Sequence, residues 1–300
     1  MPELPRRTIE ELQARYDYEP TIRDIYVEGF FDVDVIRWFL DCIQPTDVEV
    51  YPIETVDIPN DLPDGFSPKG GNRTRVIRLA NALENTVPEG RVVCIVDSDF
   101  DLIATALGSS GLANRLRHLF RTDVTAMELY LFSTTSVAKL IRIVARNHDV
   151  SPAELLAQIG SVLRQVFAVR YVNAMDGFEF RWIDFTGCCT HRTGYVEFDQ
   201  DDFIRRLLNK NMAHTLSDAF RSRVTAVAGR LPDDPRFAAH RHDYVELLRW
   251  VLRVHGILAL ADAELFARIF AACVELGELR TYEFWQRLER IIVASVTDAS

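Results

Sequence analysis

The sequence predicts an α/β fold, in which helices flank a parallel sheet and a mainly helical C-terminal domain follows. Up to about residue 150, short apolar, β-branched runs alternate with helical patterns, which is typical of strand–helix–strand units. One run, RVVCIV at residues 91–96, has no polar residue after Arg91, as expected for a strand buried on both faces of a parallel sheet. Beyond residue 150 the apolar residues recur mainly with helical spacing.

The first half contains the predicted sheet. The expected helices span residues 8–16, 32–42, 75–83 and 112–119, and the expected strands span 21–27, 48–56 and 91–96. A loop rich in Gly and Pro covers 60–72, and residues 123–131 carry the next strand or a helix start.

The second half is predicted to be mainly helical. The expected helices span 153–169, 202–208, 244–276 and 282–293, and residues 178–185 and 195–198 form a possible hairpin. Three segments follow from this pattern: an N-terminal helical extension over 1–19, an α/β domain over 20–150, which contains the candidate catalytic residues given below, and a mainly helical domain over 151–300, which would serve interaction or dimerisation.

The charge balance restricts the partners. With 34 basic and 44 acidic side chains the formal net charge is −10, so a nucleic acid would need a local positive field. Two local clusters of basic residues could supply this field. The alternative interpretation is that each cluster is a solvated surface that binds no ligand. The clusters are Lys69, Arg73, Arg75 and Arg78, and Arg115, Arg117, His118 and Arg121.

No targeting segment is recognisable in the chain. The start lacks an apolar stretch typical of a signal peptide, and the most hydrophobic later stretch, residues 256–273, is interrupted by charges. The five cysteines are scattered without a C-x-x-C pair, which indicates a reducing compartment. We therefore expect a cytoplasmic protein that does not associate with membranes.

Acidic residues directly follow two of the predicted strands. Glu28 comes after the first strand, and Asp97 and Asp99 come after the strand at 91–96, with a spacing that points both carboxylates to one side. Ligands collect at the carboxyl ends of parallel strands, and Gly29 would let the chain turn there. Hard oxygen ligands in this arrangement suit Mg²⁺. The alternative for Glu28 is a helix-start acid that interacts with the helix dipole.

A third acidic segment lies further along, at TDVTAMELYL. Asp123 and Glu128 are five residues apart and do not share one helical face. Glu128 is the favoured functional residue, and Asp123 is interpreted as a surface or capping acid.

These motifs together resemble the TOPRIM domain of topoisomerases, bacterial primases and OLD-family nucleases. The windows YVEGFFD, VDSDFD and TDVTAMELYL resemble most a TOPRIM-clan family that includes the nuclease effector of PARIS-type anti-phage systems. The resemblance covers roughly residues 20–135, and its motifs are short, so their order gives the specificity.

The resemblance implies roles for individual residues. Glu28 would be the general base or would bind a water molecule coordinated to the metal. Asp97 and Asp99 would be metal ligands, and Asp32 would support this first site. Glu128 would bind a second metal ion. The implied cofactor is Mg²⁺ or Mn²⁺, and the implied partner is an ABC-type ATPase that restrains the effector.

Departures from the TOPRIM pattern narrow the function. Topoisomerases and primases continue the D-x-D motif with a glycine-bearing turn, whereas this chain continues with Phe100-Asp101-Leu102, which favours the nuclease branch. The chain has no G-x-x-x-x-G-K-[ST] loop, so any ATPase would be a separate partner. Lys69, Arg73 and Arg75 would bind phosphates flanking the cut.

Two functions from different classes follow. The first is a metal-dependent nuclease that acts as the toxic effector of a defence system, with RNA such as tRNA among the candidate substrates. The second is a catalytically idle TOPRIM scaffold that binds and regulates a partner ATPase. A homodimer is expected in the active state, because the helical half has a large apolar stripe. Candidates for helix packing or the dimer face are Leu248, Val251, Leu252, Ile257, Leu260, Phe266 and Phe270.

Overall fold

A computed structural model describes residues 6–19, 21–59, 71–106, 116–192, 195–257 and 262–294. Within these ranges the strands are β1 (Arg7–Thr8), β2 (Arg23–Val27), β3 (Val48–Pro52), β4 (Val56–Asp57), β5 (Val92–Val96), β6 (Leu119–Arg121), β7 (Cys189–Arg192) and β8 (Tyr195–Phe198). The α-helices are α1 (Ile9–Tyr18), α2 (Phe30–Ile43), α3 (Asn72–Leu83), α4 (Asp101–Ala106), α5 (Thr134–Lys139), α6 (Pro152–Met175), α7 (Gln200–Lys210), α8 (Ser217–Ala228), α9 (Arg241–Val254), α10 (Ala263–Ala271), α11 (Leu276–Leu279) and α12 (Glu283–Ala294).

Short turns of other helix types connect these elements. The 3-10 helices are Ile53–Thr55, Met127–Leu131, Thr186–Cys188, His214–Leu216 and Pro235–Phe237, and Leu140–Val144 is a π-helix.

The chain divides into two compact units. Unit 1 contains the described residues of Met1–Ser98, Leu112–Asp123 and Glu275–Ser300, and unit 2 contains those of Asp99–Gly111 and Val124–Val274. The division differs from the three consecutive segments expected from the sequence.

Unit 1 contains the predicted parallel sheet. Its strand order is β3-β2-β5-β6 and every neighbouring pair is parallel, which confirms an α/β class with a parallel sheet. All five residues of β5 are buried, as the apolar run at 91–96 predicts, and so are all five residues of β2.

Helices lie against this sheet on both sides. On one side, α1 and α3 enclose a core with alternate residues of the strands, including Tyr26, Cys94 and Val96. On the other side, Phe39 of α2 contacts Trp285 of α12 with ring centroids 4.8 Å apart, and Arg287 of α12 lies over the Phe120 ring at 4.1 Å. The sheet therefore has helices on both faces, as a buried parallel sheet requires.

Unit 2 is mainly helical and confirms the predicted character of the C-terminal part. Its longest helix, α6, contacts α5, α7, α8 and α9. A β7–β8 hairpin packs beside α6, with Cys189 opposite Phe198.

The expected hairpin partner at 178–185 was wrong. The observed partner of β8 is β7, and residues 178–185 form no strand. The physical reason is local, because Asn173 of α6 donates to the Phe180 carbonyl at 3.0 Å and accepts from its N–H at 2.7 Å. These side-chain bonds replace strand pairing at Phe180.

The expected long helix over 244–276 is interrupted. It ends at Val254, Gly256 adopts a left-handed backbone with φ of 66°, and a new helix begins where the Asp262 side chain accepts from the N–H of Glu264 and Leu265.

The predicted helix over 112–119 was wrong in its described part. Residues 116–118 are not helical and Leu119 begins β6, where it pairs with Cys94 of β5. Sheet pairing has overridden the local helical pattern. The strand expected over 48–56 ends at Pro52, where a 3-10 turn follows.

The proposed dimer residues lie inside unit 2. Leu248, Val251, Leu252, Ile257, Phe266 and Phe270 are all buried, and Leu260 lies outside the described residues. They are packing residues of the unit rather than a dimer face. In the part of the chain that the structure describes, no helix has the length and hydropathy needed to cross a membrane.

Candidate functional site

Glu28 and Asp97 occupy corresponding places at the ends of two adjacent parallel strands. Glu28 directly follows β2 and Asp97 directly follows β5, and both are buried, with 9% and 4% of their surfaces exposed. Glu28 Oε1 accepts a hydrogen bond from the backbone N–H of Asp97 at 2.9 Å. The structure thus brings these two predicted site residues together at the carboxyl edge of the sheet.

Asp32 acts at the start of α2. Its Oδ2 accepts from the backbone N–H of Gly29 at 3.0 Å, so the carboxylate caps the helix that begins at Phe30. The chain bends at Glu28 and Gly29, as expected. The bend does not require glycine, because the Gly29 backbone is extended, at φ −154° and ψ 178°, and a Cβ there would meet no atom within 4 Å.

The end of β5 is also tied to the end of β6. The N–H of Ser98 donates to Thr122 Oγ1 at 3.0 Å, and the Ser98 hydroxyl donates to the Thr122 carbonyl. Ser98 and Thr122 are each 2% exposed. Asp97 is therefore held in place by bonds on both neighbouring strands.

Two residues at the beginning of α3 complete the surroundings. Asn72 Nδ2 donates to the Glu28 carbonyl at 2.7 Å and to Glu54 Oε1 at 2.9 Å. Arg73 Nε donates to the Asp97 carbonyl at 3.1 Å, which brings a positive charge to the acidic strand end. Asn72 and Glu54 were missed from the sequence. The one available signal was a polar residue at a helix start after Gly-Gly.

The other predicted phosphate-binding residues have different surroundings. Arg75 Nη2 donates to the Val56 carbonyl at 2.8 Å and to the Ile53 carbonyl at 3.4 Å, so its guanidinium joins α3 to the segment after β3. Lys69 lies outside the described residues. Of the two predicted residues that the structure describes, Arg73 and Arg75, it is Arg73 that lies beside Asp97.

Asp99 and Glu128 belong to unit 2. Asp99 has a left-handed backbone with φ of 42°, and its N–H donates to the Thr125 carbonyl at 2.8 Å. Strand geometry therefore does not extend to Asp99, and the expectation that the D-x-D spacing points both carboxylates to one side stays a prediction. Glu128 is 8% exposed and lies on the 3-10 helix Met127–Leu131, seven positions after the end of β6.

Asp123, by contrast, has the predicted capping role. Its Oδ2 accepts from the backbone N–H of Phe284 in the first turn of α12, at 3.0 Å. The interpretation of Asp123 as a capping acid is confirmed.

The donor set fits a cation that retains much of its water. Among the described residues, no three His, Cys, Asp or Glu side chains are grouped closely enough to hold a metal ion. Mg²⁺ commonly uses one or two carboxylates together with water and substrate phosphate. The Glu28 side chain accepts a hydrogen bond from the Asp97 backbone. Glu28 and Asp97 thus provide two buried carboxylates at one edge of the sheet.

No protein-family model matches the chain, and no curated protein sequence matches it.

Proposed function

We propose that the protein is a metal-dependent nuclease of the TOPRIM type, which hydrolyses phosphodiester bonds of nucleic acid. The observation that carries the proposal is the contact of Glu28 Oε1 with Asp97 N–H, at the carboxyl ends of two adjacent parallel strands. Open parallel sheets bind their ligands at this edge. The residue types there, two carboxylates and an arginine, suit a cation and a phosphate.

The chain's own residues would divide the work of hydrolysis. The Glu28 carboxylate, oriented by the Asp97 N–H, can accept the proton of an attacking water. The Arg73 guanidinium, held at the Asp97 carbonyl, would stabilise negative charge on the phosphate. A bound Mg²⁺ or Mn²⁺ would supply charge neutralisation and a more acidic water.

The proposal extends to the biological setting through the sequence resemblance alone. As in the PARIS-type family, the nuclease would be the toxic effector of an anti-phage defence system, held in check by an ABC-type ATPase. RNA such as tRNA is a candidate substrate. Two further predictions come from the residue patterns and not from the resemblance: a homodimeric active form and a cytoplasmic location. Asp99, Glu128 and Asp32 remain predicted metal ligands, and Lys69, Arg73 and Arg75 remain predicted nucleic-acid contacts.

A second candidate is a catalytically idle TOPRIM scaffold that binds a partner ATPase. One observation favours it: within the described residues, no group of three potential ligands is preformed. The two candidates differ in whether Glu28 and Asp97 are needed for cleavage.

The test is cleavage by the purified full chain. Single-stranded RNA, tRNA and duplex DNA are incubated with Mg²⁺, with Mn²⁺, or with a chelator. We expect metal-dependent cleavage of at least one substrate. Glu28→Gln should reduce the rate by about 100-fold or more, as expected for loss of a general base. Glu49→Gln, a matched change at an exposed residue of β3, should leave the rate unchanged.

The scaffold candidate gives the opposite result. Wild-type protein would cleave none of the three substrates with either metal, with or without a partner ABC-type ATPase. It would nevertheless bind that ATPase, and Glu28→Gln would bind it equally well.

A further inference from the structure

Several residues of the two basic clusters predicted from the sequence form hydrogen bonds or ion pairs within unit 1. Arg75 bonds backbone carbonyls, Arg117 pairs with Glu84 at 3.1 Å, and His118 is fully buried with Nδ1 at 3.2 Å from the Val92 carbonyl. Arg115 lies outside the described residues. A protein with a net charge of −10 therefore needs further cations if it is to hold a polyanion.

Helix α9 of unit 2 carries a stripe that is not part of the core. The stripe consists of four residues at intervals of three, one and three positions, which places them on one face of the helix. They are Glu246, Arg249, Trp250 and Arg253. The buried face is formed by other residues: Asp243, Tyr244, Leu247, Leu248, Val251 and Leu252. Two arginines flanking a tryptophan on an outer face are a composition that nucleic-acid-binding surfaces use.

This stripe forms one wall of a small cavity. The cavity has a volume of about 180 Å³ and is lined by Asp184, Thr186, Glu246, Arg249, Trp250 and Arg253. Pockets for drug-sized ligands have volumes of about 300–1,000 Å³. This cavity is below that range, so it suits a fragment such as one base rather than a whole nucleotide.

Trp250 and Arg253 have surfaces available to a ligand. Trp250 is half-buried, and in the described part of the chain no other ring stacks on it and no acceptor bonds its indole N–H. Arg253 is exposed and has no carboxylate partner among the described residues. By contrast, Arg205, Arg221 and Arg223 of the same unit each form an ion pair.

Two carboxyl side chains of the cavity, Asp184 and Glu246, suit the amino group of a base. Asp184 Oδ1 accepts from the N–H and the hydroxyl of Thr186, both at 2.8 Å, so its position is fixed. Carboxylates accept hydrogen bonds from the exocyclic amino groups of bases such as cytosine, whereas uracil has a carbonyl in that position.

We propose that this cavity takes an amino-bearing base of an unpaired nucleotide, stacked on Trp250, while Arg253 binds an adjacent phosphate. The inference rests on the proposed nuclease function and deepens it, because it specifies single-stranded nucleic acid with an accessible base. RNA and DNA share this chemistry.

The test is direct binding, with cleavage prevented by a chelator. The full chain is titrated into fluorescein-labelled oligocytidylate and followed by anisotropy, as RNA and as DNA. Trp250→Leu should weaken binding at least about fivefold, the low end for one base–aromatic stack. Arg253→Gln should lower the slope of log affinity against log salt by about 0.7, the value for one phosphate contact on a single strand. Trp38→Leu and Arg142→Gln are matched controls outside the cavity, and neither should change binding.

The outcomes separate this inference from the proposed function. Oligouridylate should bind more weakly than oligocytidylate, and equal binding would overturn the choice of an amino-bearing base. If wild type binds neither oligonucleotide, or if Trp250→Leu and Arg253→Gln bind as wild type does, the cavity is not a base site, even where cleavage occurs. Binding that depends on Trp250 in a protein without cleavage activity would support the base site and count against the nuclease.

Discussion

Glu28 and Asp97, which are 69 positions apart in the chain, are joined by a 2.9 Å hydrogen bond from the Asp97 N–H to Glu28 Oε1. The bond is buried, so the Glu28 side chain has a structural role in addition to its proposed chemical one. A buried N–H that loses its acceptor costs about 1–3 kcal/mol.

Substitutions of Glu28 should separate these two roles. Glu28→Ala removes the acceptor, so we expect its free energy of unfolding to fall by about 1–3 kcal/mol. Glu28→Gln retains an oxygen for the Asp97 N–H and should unfold close to wild type, yet lose cleavage because an amide cannot accept the proton. Urea unfolding in chelator measures the first effect. Equal midpoints for Glu28→Ala and wild type would show that the bond contributes little.

Asp97→Asn should weaken metal binding and also relieve electrostatic repulsion between carboxylates. The change removes one of the two acidic charges at this edge of the sheet, which would relieve repulsion on the order of 1 kcal/mol, so without metal the variant should melt at the same or a higher temperature. Mg²⁺ at one hundred times its Kd should stabilise wild type by about 2.7 kcal/mol and stabilise the variant far less. Thermal melts with chelator and with metal measure this. Asp41→Asn, at an exposed position of α2, is the matched control.

Two results together would contradict a metal-binding role for Asp97. They are an Asp97→Asn variant that is less stable than wild type without metal, and a wild-type melting temperature that Mg²⁺ and Mn²⁺ leave unchanged. Asp97 would then be a structural acid, and the proposed site would lose its central residue.

The left-handed backbone of Asp99 predicts an order of stability. L-residues other than Asn and Asp adopt this conformation at a cost of roughly 1–2 kcal/mol, whereas glycine does not incur it. Asp99→Gly should therefore be more stable than Asp99→Ala. At Asp34, an exposed residue within α2, the order should reverse, because alanine is favoured over glycine in a helix by about 1 kcal/mol. Chemical unfolding of the four variants tests both orders, and the same order at both positions would contradict the observed φ of 42°.

His240 predicts loss of stability in mild acid. Burial lowers its pKa to about 2, helped by the charges of Arg170, His242 and Arg241. The unfolded histidine binds a proton near pH 6.5, so the unfolded state takes up more protons as the pH falls. The free energy of unfolding should thus decrease below about pH 6.5, by up to about 1.4 kcal/mol per pH unit for this one group.

The measurement for His240 is urea unfolding between about pH 6.5 and pH 5. His240→Gln should have a flatter dependence on pH than wild type. His214→Gln, at an exposed histidine, should keep the wild-type dependence. Equal slopes for wild type and His240→Gln would mean that the half-buried His240 imidazole does not determine the acid response.

Gly160 of α6 is expected to resist a substitution that normally stabilises helices. In an open helix Gly→Ala gains about 1 kcal/mol. Here the added Cβ would lie 2.6 Å from Pro235 Cγ, and overpacking costs about 1–3 kcal/mol. Gly160→Ala should therefore lower the melting temperature, and adding Pro235→Ala should recover part of the loss. A higher melting temperature for Gly160→Ala alone would show that the Pro235 turn moves aside easily.

The sequence predicted those features that depend on local pattern. The buried strand at 91–96 and the placement of Glu28 and Asp97 after strands follow from apolar runs and their ends, and the structure has both. Asn72 and Glu54 could not be predicted, because they meet through a side-chain bond between elements distant in sequence. Leu119 was wrongly predicted to be helical, because its pairing with Cys94 is a long-range contact that the local pattern does not contain.

The discontinuity of unit 1 has a consequence for biosynthesis. Its sheet strands lie before residue 124, but α12, whose Trp285 contacts Phe39 of α2, is translated after the whole of unit 2. At about 5–20 residues per second, the roughly 150 intervening residues take about 8–30 seconds to synthesise. Throughout that interval the aromatic surface of α2 lacks its cover on the ribosome, so every nascent chain has a period in which chaperones can bind that surface before α12 is made.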